Sequence, residues 1–405
     1  MMKAQRVLVT DAGRASALAV IRSLGRAGHF VVAADSQPRP VGGRSRYANA
    51  QASYPSPFEV SANATATAIA RLAAEHRIDV IIPVTDDVIV PLAHHRPHLP
   101  EGCTVAVASD DAWSRAASKV TTTLLASSLG VYQARYEVIH QPSDAIGVVE
   151  RLGSPVVIKP DRSRTIGLDD KLCKGSVSYA KTDAEAVDAV EQCGQVVVAQ
   201  ALHPGVGHGI GMVLHEGRPL LAVQHRRVHE VPVSGGASAR RETVPTDPAL
   251  LTAACALLGE LCWTGAAMVE FKVGPEGPAF LEINGRIWGS LPLAVRAGCD
   301  IPARMLGVHL GDAEATAGTL DTRYRSEVMS RNLDLELVWI ASVLARGKSS
   351  SDLVTVTRRD GLAAARDLLR RGQGDDLSAP DDRRPVLTGV RHAVGHAVRK
   401  VRAHV

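Results

Sequence analysis

Aromatic side chains make up only 3% of the 405 residues, and the four tryptophans, six tyrosines and four phenylalanines are scattered. Single-stranded nucleic acid is bound on stacked aromatic platforms, so that class of partner is excluded. The charge is balanced too, with 46 Lys and Arg against 42 Asp and Glu and a formal net charge of +4. Such a balance leaves no basic footprint for a phosphate backbone. The six cysteines, at 103, 173, 193, 255, 262 and 299, form no Cys-x-x-Cys pair and have no histidine cluster beside them. They read as buried or incidental thiols of a reducing compartment. No apolar run approaches membrane-spanning length. The run after Met1-Met2-Lys3 is too short for a signal-peptide core. The expectation is a cytoplasmic protein with two to three domains.

What the chain does have is α/β patterning. RVLVT at residues 6–10 is the continuous apolar run of a strand buried on both faces. A helix over 15–28 and a second strand, FVVAA at 30–34, complete a βαβ opening that predicts a parallel sheet. The first turn, TDAGRAS, lacks the GxGxxG that a dinucleotide pyrophosphate needs. DVIIPV at 79–84 ends in Thr85-Asp86-Asp87, which reads equally as a ligand edge or as a helix cap. TVAVA at 104–108 closes this domain, expected over 1–112. Ser109-Asp110-Asp111 caps a helix that contains Lys119 and runs towards Ser128.

The stretch richest in chemistry is Ala266–Arg286, AAMVEFKVGPEGPAFLEINGR. Two alternating segments flank a Gly/Pro turn, the signature of a hairpin. Closure about Glu276 sets Phe271 against Leu281, Val269 against Ile283, Glu270 against Glu282 and Met268 against Asn284. Opposed carboxylates repel, so a cation is expected between them. Mg²⁺ suits one or two carboxylates plus phosphate and water. The competing reading is a pair of solvated glutamates with Lys272 as partner.

Three other stretches carry charge where it needs a reason. PVVIKP ends a buried strand with Lys159, which calls for an anion. The loop 161–176 is long enough for a lid or for disorder, and Lys174-Gly175-Ser176 offers N–H groups and a cation to phosphate. Arg227, Arg240 and Arg241 flank the glycine-rich SGGAS of 234–238 and would fork onto a carboxylate. After about residue 312 the pattern becomes helical, with 375–384 a polar linker. The segment 386–401 is a basic amphipathic helix. It is read first as packed on the domain, with weak membrane-surface contact as the alternative.

These pieces stand in the order of a known family. The chain resembles the ATP-grasp superfamily of carboxylate–amine ligases, related to biotin carboxylase and carbamoyl-phosphate synthetase, over roughly residues 5–312. FLEINGRIWGS with Glu270 is the most specific match, then PVVIKP, then the helix with Lys119. The resemblance implies an α/β chain: a Rossmann-like domain over 1–112, a two-lobed ATP-grasp module over 113–312 with a lid at about 155–200, and a helical extension over 313–405. It implies ATP with Mg²⁺, or Mn²⁺ in its place, and a small carboxylate and amine as substrates. Lys119 and Lys159 would bind ATP phosphates. Gln200 and the backbone of Ala201 and Leu202 would read adenine, and the lid near Gly175 and Ser176 would close over the triphosphate. Glu270, Glu282 and Asn284 would hold the metal, and Arg286 would stabilise the transferred phosphoryl group. Arg227 joins the catalytic set as a carboxylate fork. The acidic ribose contacts of many relatives are missing after Gln200, so His208 or backbone would hold the ribose. A bicarbonate-using carboxylase and a non-catalytic ATP-binding or membrane-surface protein are the rival functions.

Overall fold

The computed structural model describes residues 3–95, 99–233, 235–345, 356–368 and 374–389. The chain opens with β1 (Arg6–Val9), α1 (Ala15–Arg26), β2 (Phe30–Asp35), β3 (Ala50–Ser53), α2 (Ala62–Glu75), β4 (Val80–Ile82), α3 (Asp86–His95) and β5 (Thr104–Val105). The strands form one parallel sheet in the order β3-β2-β1-β4-β5. The apolar runs of β1, β2 and β4 fill its centre, as their sequences require. β3, AQAS, is too polar and short to read as a strand and exists by pairing with β2.

Two helices follow where the sequence suggested one. Ser118 separates α4 (Asp110–Ala117) from α5 (Lys119–Ser128). Its hydroxyl caps α5 by accepting from Thr121 N–H and donates to Asp161 at 2.6 Å. The break sets Lys119 in a first helical turn, the end that favours an anion.

The next layer holds β6 (Tyr136–Ile139), α6 (Val148–Leu152), β7 (Val156–Pro160), β8 (Arg164–Ile166), β9 (Leu172–Lys174), β10 (Ser178–Ala180), α7 (Asp183–Cys193) and β11 (Val197–Ala201). Four of its strands pair antiparallel in the order β10-β7-β11-β6. Val156, Ile158, Val197 and Ala199 pack beneath α6 and α7. Alternation then turns Lys159 and Gln200 to the other face. β8 and β9 pair only with each other. The stretch read as a lid or a disordered loop is therefore an ordered hairpin.

The largest layer is built from β12 (Val206–His215), β13 (Arg218–Val231), β14 (Ala237–Thr243), α8 (Pro248–Glu260), β15 (Gly265–Gly274) and β16 (Gly277–Asn284). After it come α9 (Leu291–Arg296), α10 (Ile301–His309), α11 (Ala313–Thr316), β17 (Met329–Arg331), α12 (Leu333–Ala345), α13 (Arg358–Asp367) and β18 (Gly374–Asp375). The sheet order is β16-β15-β12-β13-β14-β17-β18. One face packs Ile210, Met212, Val269 and Phe271 on Leu250 and Leu257 of α8. The other face puts Val213, Val223 and Met268 in one core with Val7, Val9 and Ile82 of the first sheet. The first and third layers are thus joined by a continuous core. β12 keeps its inner face bare with glycines: a Cβ at Gly209 would stand 2.4 Å from the His225 ring, and one at Gly207 would stand 2.8 Å from Arg227 Cδ.

Two expectations for the C-terminal third need correction. It is not helical throughout, because β17 and β18 extend the large sheet. Nor is 375–384 a linker. Asp376 accepts from buried Arg241 and from Ser330, and Asp382 accepts from Arg22 Nε at 2.9 Å and from Ser45 Oγ at 2.6 Å. The segment is a strap whose acids are matched by arginines 135 and 360 positions upstream, which composition alone does not reveal. The basic helix expected over 386–401 falls, from 390 onward, outside the described residues. Among the described residues, no helix is long and apolar enough to cross a membrane.

Candidate active site

The β15–β16 hairpin sets Glu270 opposite Glu282, Val269 opposite Ile283 and Met268 opposite Asn284, as the sequence implies. Closer to the turn the register differs. Phe271 faces Phe280, not Leu281, because the turn closes on Gly274 and Gly277 and a bulge at Leu281 takes up the extra residue. Asn284 Nδ2 donates to Glu270 at 3.0 Å and to Glu282 at 3.4 Å. The amide thus stands between the carboxylates, where a cation would sit. Among the described residues no group of three or more His, Cys, Asp or Glu could hold a metal. Two carboxylates and an amide fit Mg²⁺ that brings its own phosphates and water. Asn284 Oδ1 accepts from Arg286 Nη2 at 3.0 Å, so as a metal ligand the amide would have to turn over.

Positive charge surrounds the pair. Arg227 reaches from β13 across bare Gly207 to Glu270, with Nη2 2.5 Å from its carboxylate, and also pairs with Glu230 at 3.0 Å. Burial and neighbouring Glu282 push the Glu270 carboxyl up, against Arg227 pulling it down. Burial acts on Glu282 too, but Lys119, Lys159 and Arg286 outweigh it and hold that carboxyl down. Glu282 is therefore the member of the pair whose charged form its surroundings favour. Lys119 Nζ donates to Ser163 Oγ at 2.9 Å, and Lys159 Nζ donates to Gln200 Oε1 at 2.6 Å.

The N-terminal domain supplies what the sequence left open. Thr85 Oγ1 accepts from Asp87 N–H, so Thr85 caps α3. The two acids are free for other work. Asp86 accepts from Arg286 Nε at 2.9 Å and Asp87 from Arg164 Nε at 2.5 Å. Between these groups lies a cleft of about 630 Å³, its open mouth included. Its lining is mixed, with Lys119, Glu282, Asn284 and Arg286 among the polar side chains and Val90, Trp113 and Ala116 among the apolar ones. Asp86 thus takes the ligand-edge side of the alternative its sequence left open, while Ser163 and Arg164, which also line the cleft, carry no signal in the sequence beyond their place in the long loop.

Not every predicted residue joins the cleft. His208 pairs in register with Phe271, on the face opposite Glu270, and its Nδ1 bonds Gln224 Nε2 at 3.0 Å. It is turned away from the carboxylates. Arg240 pairs with Asp367 at 3.1 Å and Arg241 with Asp376, so both serve the C-terminal strap and helices. Gln200 holds Lys159, and Ala201 N–H is taken by Arg135 O at 2.8 Å. Leu202 follows at the end of β11, next to buried His203, which bonds Gly277 O at 3.1 Å. Gly175 closes the base of the β8–β9 hairpin with its N–H on Ser163 O at 3.1 Å, while Ser176 is exposed.

Burial lowers Lys159 to about 8; Glu282 and Glu270 oppose the shift, and Lys119 reinforces it. A triphosphate bound beside Lys159 would stabilise the charged ammonium and raise that value again. Above pH 8 nucleotide binding is therefore expected to take up close to one proton at Lys159, and affinity to fall by up to about tenfold per pH unit. Calorimetry at pH 9 in two buffers of different ionisation enthalpy measures this. Equal heats in the two buffers would contradict it.

Residues 192–331 match the family model "ATP-grasp in the biosynthetic pathway with Ter operon". Comparison with the curated proteins gives no match. Among solved structures, an L-amino acid ligase from Bacillus licheniformis is similar at TM-score 0.56 and 14% identity, covering 79% of this chain and 78% of that one. A beta-gamma-ATP complex of biotin carboxylase from Campylobacter jejuni is similar at TM-score 0.62 and 14% identity, covering 81% and 74%. An ADP complex of N5-carboxyaminoimidazole ribonucleotide synthetase is similar at TM-score 0.62 and 12% identity, covering 91% and 97%. The chain has the ATP-grasp fold.

Proposed function

We propose that this ATP-grasp chain is an ADP-forming ligase that activates a small organic carboxylate as an acyl phosphate and passes it to an amine. The observation that carries the reading is the opposed pair Glu270 and Glu282, with Lys119, Lys159 and Arg286 close enough to act on its charge. Two similar structures hold adenine nucleotides by their descriptions, and a third is a ligase.

In this mechanism Lys119 and Lys159 hold the triphosphate by charge. Mg²⁺, held by Glu270 and Glu282, would neutralise the phosphate oxygens and align the terminal group. Asp86 fixes Arg286 so that its remaining N–H groups face the transferring phosphoryl. The acid oxygen attacks phosphorus, ADP leaves, and amine attack on the acyl carbon then releases phosphate. There is little covalent chemistry for the protein to do, so the barrier falls by positioning and fixed charge.

The cleft bears on the choice between an organic acid and bicarbonate. Its lining includes the apolar side chains Val90, Trp113 and Ala116, for which bicarbonate has no use. Trp113→Ala is accordingly expected to raise the KM for the acid about tenfold with kcat little changed, the mark of lost uniform binding. An unchanged KM would take Trp113 out of the acid site. The whole reading is tested by ADP release from MgATP across pools of carboxylates and amines. Release that needs one of each supports it, and release on bicarbonate alone makes the protein a carboxylase.

A further inference from the structure

We propose that Asp87 is a positioning residue that, through Arg164, latches the β8–β9 hairpin shut over the cleft and keeps water from the activated acid. The consequence for water rests on the ligase reading; the latch itself does not.

A hairpin with two strands of three residues is marginal by itself, so its place is set by what it docks on. Here it docks on the N-terminal domain, not on the four-stranded sheet it grows from. Leu172 N–H donates to Pro57 O at 2.9 Å, and Ala62 N–H donates to Asp170 O at 2.6 Å. Asn63 N–H adds a bond to the Asp170 carboxylate at 3.3 Å, and Leu172 is buried. Arg164 provides the charged contact: its Nε meets Asp87 at 2.5 Å, with side-chain exposures of 18% and 16%. Its guanidinium carbon also lies 5.8 Å from the centre of the Phe58 ring. Arg164 at the same time lines the cleft that Arg286 and Glu282 also line.

The placement of the two acids gives the latch its meaning. Asp86 and Asp87 are consecutive in the first turn of α3. One holds Arg286 of the β16 end, the other Arg164 of the hairpin. Closure of the hairpin and orientation of the site arginine are therefore read by one helical turn. If the hairpin opens, water reaches the acyl phosphate. The acyl carbon–oxygen bond to phosphate breaks, the water oxygen stays on carbon, and the acid and inorganic phosphate are released. The net result is ATP hydrolysis without amide.

The test is hydrogen exchange on the ligand-free full chain, comparing wild type, Asp87→Asn, Arg164→Gln and the reversed pair Asp87→Arg with Arg164→Glu. Asn keeps the polar helix start and removes only the charge. The amides of Leu172 and Ala62 are expected to exchange about tenfold faster in each single variant and to recover in the reversed pair. The β7 and β11 amides report whether the fold survives. Wild-type exchange at Leu172 and Ala62 in both single variants overturns the latch. With a substrate pair in hand, the single variants should release more than one ADP per amide; a ratio held at one overturns the water-excluding role. A wild type that turns over no pool faults the ligase reading, while the exchange result still decides the latch.

Discussion

Glu282→Gln is expected to lower MgATP-dependent turnover by about a thousandfold, the cost of removing one preorganised charge aimed at a developing phosphoryl centre. That is about 4 kcal/mol of transition-state stabilisation. Glu282 is the better probe of the two carboxylates. Arg227 lies 2.5 Å from Glu270, so replacing Glu270 takes one of two carboxylate partners from a buried guanidinium, leaving only Glu230, and confuses stability with catalysis. The carboxyl of Glu282 is instead in the field of Lys119, Lys159 and Arg286, and Glu282, Lys119 and Arg286 line the open cleft. Gln keeps the size and the bond to Asn284. Turnover should collapse while the melting temperature moves by a few degrees at most. A variant that keeps a tenth of wild-type activity would remove Glu282 from the machinery.

Asp382→Ala should cost about 3–5 kcal/mol of folding stability, the penalty for breaking a buried pair and leaving one charge alone. Its carboxylate takes Arg22 Nε at 2.9 Å, Ser45 Oγ at 2.6 Å and the Arg46 N–H at 3.0 Å, and the paired side chains are 6% and 1% exposed. The neighbouring Asp381→Ala is the control. Asp381 pairs with Arg26 at 2.8 Å, but with exposures of 39% and 40%. Such a pair contributes about 1 kcal/mol or less. Urea titration of the two variants, equal in composition change and one residue apart, measures the contrast. Equal shifts would mean that the strap is a surface ornament.

The parts of the site that lie on one hairpin or one strand are legible in the sequence. Period-two alternation and a Gly/Pro turn suffice to oppose Glu270 and Glu282, and an apolar run makes Lys159 conspicuous. Arg227 stands out in the sequence by its place beside SGGAS, yet its partner Glu270 is two strands away over glycines. Those glycines are Gly207 and Gly209. In the sheet they are clearance for Arg227 and His225. Asp86 and Arg286 are two hundred positions apart, and Arg22 and Asp382 further still. Nothing local announces such pairs, because each member alone looks like a solvated charge. The bulge at Leu281 was hidden for the opposite reason: it leaves the catalytic register intact and alters only the apolar end. His208 illustrates the remaining limit, since one residue of strand phase decides which face a side chain serves.

The central claim is that this cleft makes an acyl phosphate from MgATP and a carboxylate. Hydroxylamine attacks such an intermediate in place of the natural amine and leaves a stable acyl hydroxamate. The wild-type chain should be given MgATP, hydroxylamine and pools of small organic acids, with Glu282→Gln alongside. The account predicts hydroxamate from at least one pool, formed one-to-one with ADP, strengthened by acids with an apolar body and absent in the variant. ADP release that follows bicarbonate and yields no organic hydroxamate, or tight MgATP binding with no hydroxamate from any pool, would contradict it.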